Sequence, residues 1–303
     1  MVLEIIKGTI MQSIQLYYRS KKITSADIEF IAKTIQQNYE LGRSKIARIL
    51  CEAWEWRQPN GSYKEYAARD LLLRLEEKKF IELPPRLRPK NNLKKESYED
   101  TPLFFIKREL TGSITDFPSI DLQIVTAEFQ YLWEYLLHEY HYLGLPRFVG
   151  EHIKYIAWID DVPAAAFLWA SAAWKAGARD TSIGWDVELK RKNLIYVANN
   201  SRFLIPPWIQ IKCLASRLLS LCLKRLSEDW KKRYAHPVYL AETFVDISRF
   251  KGTCYQASNW IHVGFTKGHA KRGNSYAYHG IPKAIYLYPL HHDFRRLLNN
   301  DEG

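Results

Sequence analysis

The sequence predicts an α+β protein in two parts. A winged helix-turn-helix occupies residues 1–90 and a mixed-sheet domain residues 121–303, with a basic, irregular linker over 91–120. Three observations predict this. Apolar residues recur at spacings of three and four in three successive stretches before residue 80. Alternating or wholly apolar short runs dominate after residue 150. Between them lies PPRLRPKNNLKK, which holds five cations and no acid.

Length and composition bound the rest. A chain of 303 residues that is 47% hydrophobic can bury more than one core. It holds no run of eighteen apolar residues, so no membrane span is expected. The opening MVLEIIKGTIMQ lacks the features of a secretory signal. Cys51, Cys213, Cys222 and Cys254 form no CxxC pair, which points to reduced thiols in a cytoplasmic protein, with Cys213 and Cys222 in the core. The net charge of +11 is uneven: +5 over residues 1–100, −3 over 101–200 and +9 over 201–303. Basic ends around an acidic middle suit a protein that holds a polyanion at two places, although a plain basic surface gives the same count.

In the first helix, from Ser25 as N-cap, Ile28, Ile31, Ala32 and Ile35 share one stripe. Ser44 caps a second, with Ile46, Ala47, Ile49, Leu50 and Ala53 inward. After Asn60-Gly61, Ser62 opens a third that runs to Lys79 and buries Ala67, Leu71, Leu72 and Leu75. Residues 80–83 read as a strand, closed by Pro84-Pro85. Three helices and a strand are the order of a winged helix, and the third would be its recognition helix. Tyr63, Lys64, Tyr66 and Arg69 near its start suit phosphates and base edges. A helical bundle that touches no DNA is the bland alternative. Arg86, Arg88, Lys90, Lys94 and Lys95 make the linker an arm able to track phosphates, or only a spacer.

The second part begins with a helix near 126–138, buried through Phe129, Leu132, Trp133, Leu136 and Leu137. It exits at HEYHYLG, where His138 and His141 could bind a metal or move protons, or merely cap carbonyls. Strands 153–159 and 164–172 form a hairpin, and a further strand starts at Leu194. The polar Asn199-Asn200-Ser201-Arg202 inside apolar sequence predicts a bulge facing a cleft. A helix follows from Lys212 to Trp230. Strand 238–246 alternates: Leu240, Glu242, Phe244 and Asp246 face one way, Tyr239, Ala241, Thr243 and Val245 the other. Thr253 and Gln256 predict a capping box on a helix that carries Tyr255 and ends at Gly264. The tail, with Lys271, Arg272 and interleaved tyrosines, suits nucleic acid or one more sheet edge.

This order of elements resembles the GNAT-like N-acetyltransferase fold. Acetyl-CoA-binding members of that fold hold the pyrophosphate on a Gly-rich loop before the long helix. The equivalent stretch here, residues 206–212, has no Gly and opens with two prolines, so the fold is expected without acetyl-CoA. At the level of words the chain resembles the DruA family of the Druantia anti-phage system, with members in mobile elements beside transposases. The words are YHYLG at Tyr140, RD with IGW at Arg179–Trp185, NNSRFLI at Asn199, ETFVD at Glu242 and GTCYQASNW at Gly252, with a weaker VGFTKG at Val263. The Gly268–Gly273 stretch departs from the Gly-Arg-Gly that members often carry.

The resemblance implies action on foreign or mobile DNA and leaves the mechanism open. In a strand-cutting or strand-transferring enzyme the polar set would be His141, Asp180, Asn200, Arg202, Glu242, Asp246 and Tyr255. Glu242 and Asp246 lie roughly 13 Å apart on an extended strand, too far to share one ion. Glu242 with Asp180 is the easier metal pair for Mg²⁺ or Mn²⁺. Tyr255 as nucleophile, with His141 or Arg202 at the phosphate, is the metal-free version. In the alternative, the protein is a non-catalytic DNA-binding adaptor for a helicase, nuclease or transposase. An acyl-CoA-dependent acyltransferase stands last.

Overall fold

The computed structural model describes residues 16–18, 21–58, 61–85, 105–146, 150–272, 275–278 and 280–300. They divide into two compact units, Met1–Lys95 and Glu96–Gly303.

In the first unit, a two-stranded hairpin, β1 (Leu16–Tyr18) and β2 (Lys21–Ile23), precedes three helices. These are α1 (Ser25–Gln37), α2 (Gly42–Ala53) and α3 (Glu65–Glu77). The apolar stripes meet as their spacing requires: Ile28, Ile31, Ile35, Ile46, Leu50, Leu71, Leu72 and Leu75 are buried together. The caps differ from the sequence reading. Thr24, not Ser25, caps α1, in a reciprocal box where Thr24 N–H donates to the Asp27 carboxylate at 2.8 Å. The second helix begins at Gly42, ahead of Ser44. The third begins at Glu65, because Tyr63 bridges to Arg57 and Lys64 N–H donates to Trp56 O at 2.9 Å.

Residues 80–83 form no ladder strand among the described residues. Lys79 turns the chain at φ +60°, Phe80 N–H closes on Leu75 O, and Leu83 N–H is taken by the Glu76 carboxylate at 3.2 Å. The backbone groups that a wing strand would pair are therefore partly spent on closing the helix. Three helices stand as expected; the strands described in this unit, β1 and β2, precede them, whereas the sequence reading expects one strand after them.

The second unit is built on a seven-stranded sheet in the order β10-β13-β9-β7-β6-β5-β4. The strands are β4 (Asp121–Ile124), β5 (His152–Ile159), β6 (Val162–Ser171), β7 (Val197–Leu204), β9 (Leu240–Asp246), β10 (Ile261–Phe265) and β13 (Lys283–Pro289). Every neighbouring pair is antiparallel except β7 and β9. A parallel step needs a crossover, and the 21-residue α7 (Leu214–Tyr234) supplies it. A strand feeding a long helix and a parallel strand returning beside it is the GNAT-like arrangement. Two short pairs stand apart: β3 (Leu110–Ser113) with β8 (Ile209–Lys212), parallel, and β11 (His269–Arg272) with β12 (Ser275–Tyr278), antiparallel.

Each face of the sheet has its own core. On one, α4 (Gln130–Tyr140) and α7 bury Trp133, Leu136, Leu218, Cys222 and Trp230. On the other, Val197, Leu240, Ile285 and Leu287 pack with Ile183 of α5 (Gly177–Ile183) and with Phe294 and Leu298 of α9 (Phe294–Leu298). The helix α6 (Val187–Asn193) covers that same face through Leu189. Cys222 is buried as expected, whereas Cys213 is exposed at φ +64° just before α7.

The helix expected to carry Tyr255 as far as Gly264 is only α8 (Thr253–Ala257). Gly252 at φ +72° is its N-cap, without a side-chain cap, so the Thr253/Gln256 box is not formed; Gln256 instead donates to the Tyr286 hydroxyl. A Cβ at Gly252 would stand 2.8 Å from that hydroxyl, so the position demands glycine twice over. Asn259 at φ +63° then reverses the chain, and Trp260 N–H closes on Tyr255 O at 3.0 Å. The residues after Trp260 pair with β13 as β10, bulged at His262/Gly264.

Among the described residues no helix is long and apolar enough to cross a membrane.

Candidate functional site

The strands β7 and β9 pair over three positions only, Val197–Asn199 against Leu240–Glu242. Beyond them the ladder ends and the strands part. The cause lies in β7: between Leu168↔Arg202 and Trp169↔Asn200 the register slips, leaving Ser201 as the extra residue of the bulge. The polar run at 199–202 predicted this. Where the ladder stops, a side chain replaces it: Thr243 Oγ donates to Asn200 O at 3.1 Å.

The gap is a cleft of about 590 Å³. Its walls are β7, the far half of β9, the turn after α4 and the segment leading into α8. Arg202 ties two of these together, with Nε donating to Gly144 O at 3.0 Å and Nη1 to Ser201 O at 2.7 Å. Both acceptors are neutral. Among the described residues no carboxylate stands at ion-pair distance from this guanidinium, and burial pulls its pKa down. A half-buried cation without a counter-ion is costly to keep.

His141 sits at the C-terminal cap of α4 and lines the same cleft. Burial and the Arg202 charge lower its pKa to about 4, so the ring is neutral at pH 7. Its Nδ1 accepts the Leu143 N–H at 3.1 Å, which places the remaining proton on Nε2. The ring therefore offers a donor, not a base. Stacked on it at 5.0 Å is Tyr142, which meets Phe250 at 5.3 Å and carries Arg249 over its ring at 5.1 Å.

Tyr255 closes the floor. Its hydroxyl donates to Asn200 Oδ1 at 2.9 Å, the residue is 9% exposed, and burial pushes its pKa well above the ordinary phenol value. Among the described residues no base or cation is aimed at it to offset that, as nucleophilic attack requires. Asp246 ends β9 in the cleft, accepting from Ser248 N–H at 3.0 Å and Ser248 Oγ at 2.6 Å; these bonds hold its carboxyl below the ordinary value. It braces the turn.

Glu242 and Asp180 come together, but on the opposite face and through an intermediary. Arg179 is fully buried and gives Nη1 to Glu242 Oε2 at 2.8 Å and Nη2 to Asp180 Oδ1 at 2.7 Å. Glu242 Oε1 takes the Ala173 N–H at 2.9 Å; Asp180 also receives Trp185 Nε1 at 3.1 Å and Lys190 Nζ at 3.0 Å. Burial works against the Arg179 charge, and the two carboxylates more than offset it, so its pKa is raised. Burial pushes the Glu242 carboxyl up, against the pull of Arg179. As arranged, a guanidinium fills the place between the two acids that a metal ion would need, so this donor set does not fit one. Three metal-type donors converge instead at His291, His292 and Asp293 on the surface, where Arg296 already holds Asp293 at 3.1 Å.

The Gly-rich pyrophosphate loop of the acetyl-CoA-binding fold is not reproduced over residues 206–212. Pro206 and Pro207 carry no N–H, Ile209 N–H turns back to Pro206 O at 3.0 Å, and 209–212 are a strand laddered to β3. Residues 206–212 therefore do not form the Gly-rich loop on which that cofactor's pyrophosphate is held.

Of the other positions singled out, Tyr63 stacks under the Arg57 guanidinium at 4.0 Å and accepts from it at 2.6 Å. Lys64 precedes α3 rather than lying in it, and Arg69 is exposed on it. Arg86, Arg88, Lys90, Lys94 and Lys95 lie outside the described residues; Lys271 and Arg272 are described only as backbone of β11. The sequence reading did not anticipate Tyr142, Arg249 and Phe250 as one cluster, since they come from two separate loops.

The sequence words quoted above therefore converge. Those at Tyr140, Asn199 and Gly252 line the cleft; Arg179 and Glu242 lock the opposite face. The profile of one family, described as Druantia protein DruA, matches residues 74–275, roughly two thirds of the chain. The chain belongs to the DruA family. No curated protein matches it. Among solved structures, an N-acetyltransferase from Staphylococcus aureus Mu50 is 11% identical, with 57% of this chain and 98% of that chain covered, at a TM-score of 0.37. The aminoglycoside acetyltransferase AAC(6')-Ib with ribostamycin and coenzyme A is 13% identical, covering 60% and 99%, at 0.38. The ribosomal-protein-S18-alanine N-acetyltransferase from Escherichia coli is 10% identical, covering 57% and 94%, at 0.35.

Proposed function

We propose that this DruA-family chain is a DNA-engaging protein of an anti-phage defence system or mobile element, with the β7/β9 cleft as its working site. The observation that carries this reading is Arg202, a half-buried cation whose partners among the described residues are neutral, beside the Nε2–H donor of His141. An anion in the cleft would supply the missing charge, and the net charge of +11 favours a polyanion. The first unit contributes affinity in this reading: α3, with Tyr66 and Arg69 exposed, acts as the recognition helix of a winged-helix-like module. Arg86, Arg88, Lys90, Lys94 and Lys95 follow the phosphates, as do Lys271 and Arg272.

Whether the chain also cuts or transfers a strand is tested directly. The full chain is incubated with single-stranded, duplex and hairpin DNA, with Mg²⁺ or Mn²⁺ and without, and the products are resolved on denaturing gels alongside a search for a covalent protein–DNA adduct. Cleavage lost in Arg202→Gln supports processing in the cleft. Absence of DNA binding in any form overturns the proposal.

A second reading, the adaptor that delivers a helicase, nuclease or transposase to DNA, is favoured by two observations. Glu242 and Asp180 are closed around Arg179, and the Tyr255 phenol is buried against Asn200. Strand chemistry through either would require that packing to open. DNA binding without cleavage or adduct, under all the conditions above, selects the adaptor.

A further inference from the structure

We infer that the β7/β9 cleft is built for one unpaired nucleotide of a DNA strand, with its phosphate at Arg202 and its base against the Tyr142/Phe250 aromatic pair. The inference rests on the DNA-engaging reading and narrows it to a substrate form: single-stranded or extruded, not duplex.

Three properties of the cleft carry it. The first is size. About 590 Å³ falls within the range of sites for small molecules, roughly 300–1,000 Å³. A nucleotide is a ligand of that class, while a duplex would have to lie outside. The second is charge. Arg202 spends two of its donors on the neutral carbonyls of Gly144 and Ser201, which fix its position and leave its charge uncompensated. Lys283 and Lys251 also line the walls. Among the described lining residues the single acid is Asp246, already bonded by Ser248, with Arg249 at 3.9 Å.

The third is the rim. Phe250 is 49% exposed and Tyr142 39% exposed, large rings left facing water at the mouth of the cleft. Arg249 over Tyr142 and His141 stacked beneath it hold that ring in place. A flat ring pinned at the mouth and a cation fixed inside match the stacking-and-phosphate pattern by which unpaired strands are held. In a duplex the base faces are already stacked on each other, so such a rim gains nothing from it.

The test uses the full chain and measures affinity by fluorescence anisotropy. The probes are a single-stranded DNA oligonucleotide, the blunt duplex of the same sequence, that duplex with one bulged nucleotide, and a single-stranded RNA. A 2-aminopurine at the bulge reports stacking by its quenching. The single strand and the bulged duplex are expected to bind more tightly than the blunt duplex. Phe250→Ala is expected to weaken both at least about five-fold and abolish the quenching, while Phe250→Trp retains both effects. Arg202→Gln should lower the slope of log affinity against log salt on the single strand by about 0.7, one phosphate contact.

Unchanged single-strand binding and quenching in Phe250→Ala overturn the inference, even where duplex binding persists and the DNA reading stands. Tighter binding of RNA than of DNA overturns it as well. So does displacement of the oligonucleotide by equal concentrations of a free nucleoside monophosphate or of coenzyme A, either of which would mark a small-molecule site. Failure of every DNA probe to bind overturns instead the reading beneath it.

Discussion

The two faces of β9 handle charge in opposite ways. On one, Glu242 closes with Arg179 and Asp180 in a network where each of the three has partners, and where Arg179 and Glu242 are wholly shielded from water. On the other, one residue further along, Thr243 faces a cleft whose half-buried guanidinium meets no acid among the described residues. The first arrangement is complete without a ligand and the second is not. The presence of polar residues in the sequence does not separate them, because both regions hold such residues. Pairing separates them: a buried charge with all its partners reads as structure, and one kept without a counter-ion reads as a place for something else.

The largest effect should come from breaking the closed face. Arg179→Met leaves Glu242 buried with only the Ala173 N–H and strips one donor pair from Asp180. A loss of about 3–5 kcal/mol is expected, read from denaturant unfolding of the full chain. Arg179→Met combined with Glu242→Leu should cost less than Arg179→Met alone, since no uncompensated acid is then left inside. A double variant worse than the single would mean that Glu242 contributes to the fold beyond its pairing with Arg179.

On the cleft side, Tyr255→Phe removes one buried hydroxyl and leaves Asn200 Oδ1 without its donor. The expected loss is about 1–2 kcal/mol. The same variant sharpens the chemistry. Strand processing that survives in it excludes Tyr255 as nucleophile, and its loss with binding intact would put the phenol back at the centre.

Much of this comparison was legible, and the limits are physical. Alternation on β9 is a period-two signal carried by seven neighbouring residues, so the split between Glu242 and Thr243 could be read directly. The bulge at Ser201 announced itself as polar residues inside apolar ones. Short helices such as α5 and α6 span seven residues each, under two turns, which leaves no periodicity to detect. The helix α8 ends early because the chain already turns at Asn259, at φ +63°, while Gly264, at φ +135°, lies further on at the bulge of β10. Arg179 was invisible as a core residue, since an arginine buries only when its acids arrive, and one of these lies 63 positions away. The rim of Tyr142 and Phe250 joins two loops by tertiary packing alone.

A smaller, pH-dependent effect belongs to His141. Its pKa is lowered from the ordinary 6.5 to about 4 by burial and by Arg202. The unfolded chain therefore takes up a proton before the folded one does, and stability falls as pH drops from about 6.5 towards 4, flattening below that for this group. The full shift corresponds to about 3 kcal/mol, and solvent at the partly open ring reduces this to about 1–2. His141→Gln should flatten that part of the pH profile. A profile unchanged by the substitution would show that Arg202 and His141 do not share the low-dielectric cleft described here.

The smallest expected change in stability is the most telling. Arg202→Gln keeps a side-chain amide that can reach Gly144 O or Ser201 O while removing the charge. If Arg202 were structural in the manner of Arg179, its loss would cost several kcal/mol. Because no acid depends on it, the neutral variant should lie within about 1 kcal/mol of the parent, and relief of the desolvated charge should raise the pKa of His141. Affinity for DNA should fall in the same protein. Stability held while binding is lost is the signature of a charge kept for a ligand; a large loss of stability would instead place the cleft beside the opposite face, as one more closed part of the fold.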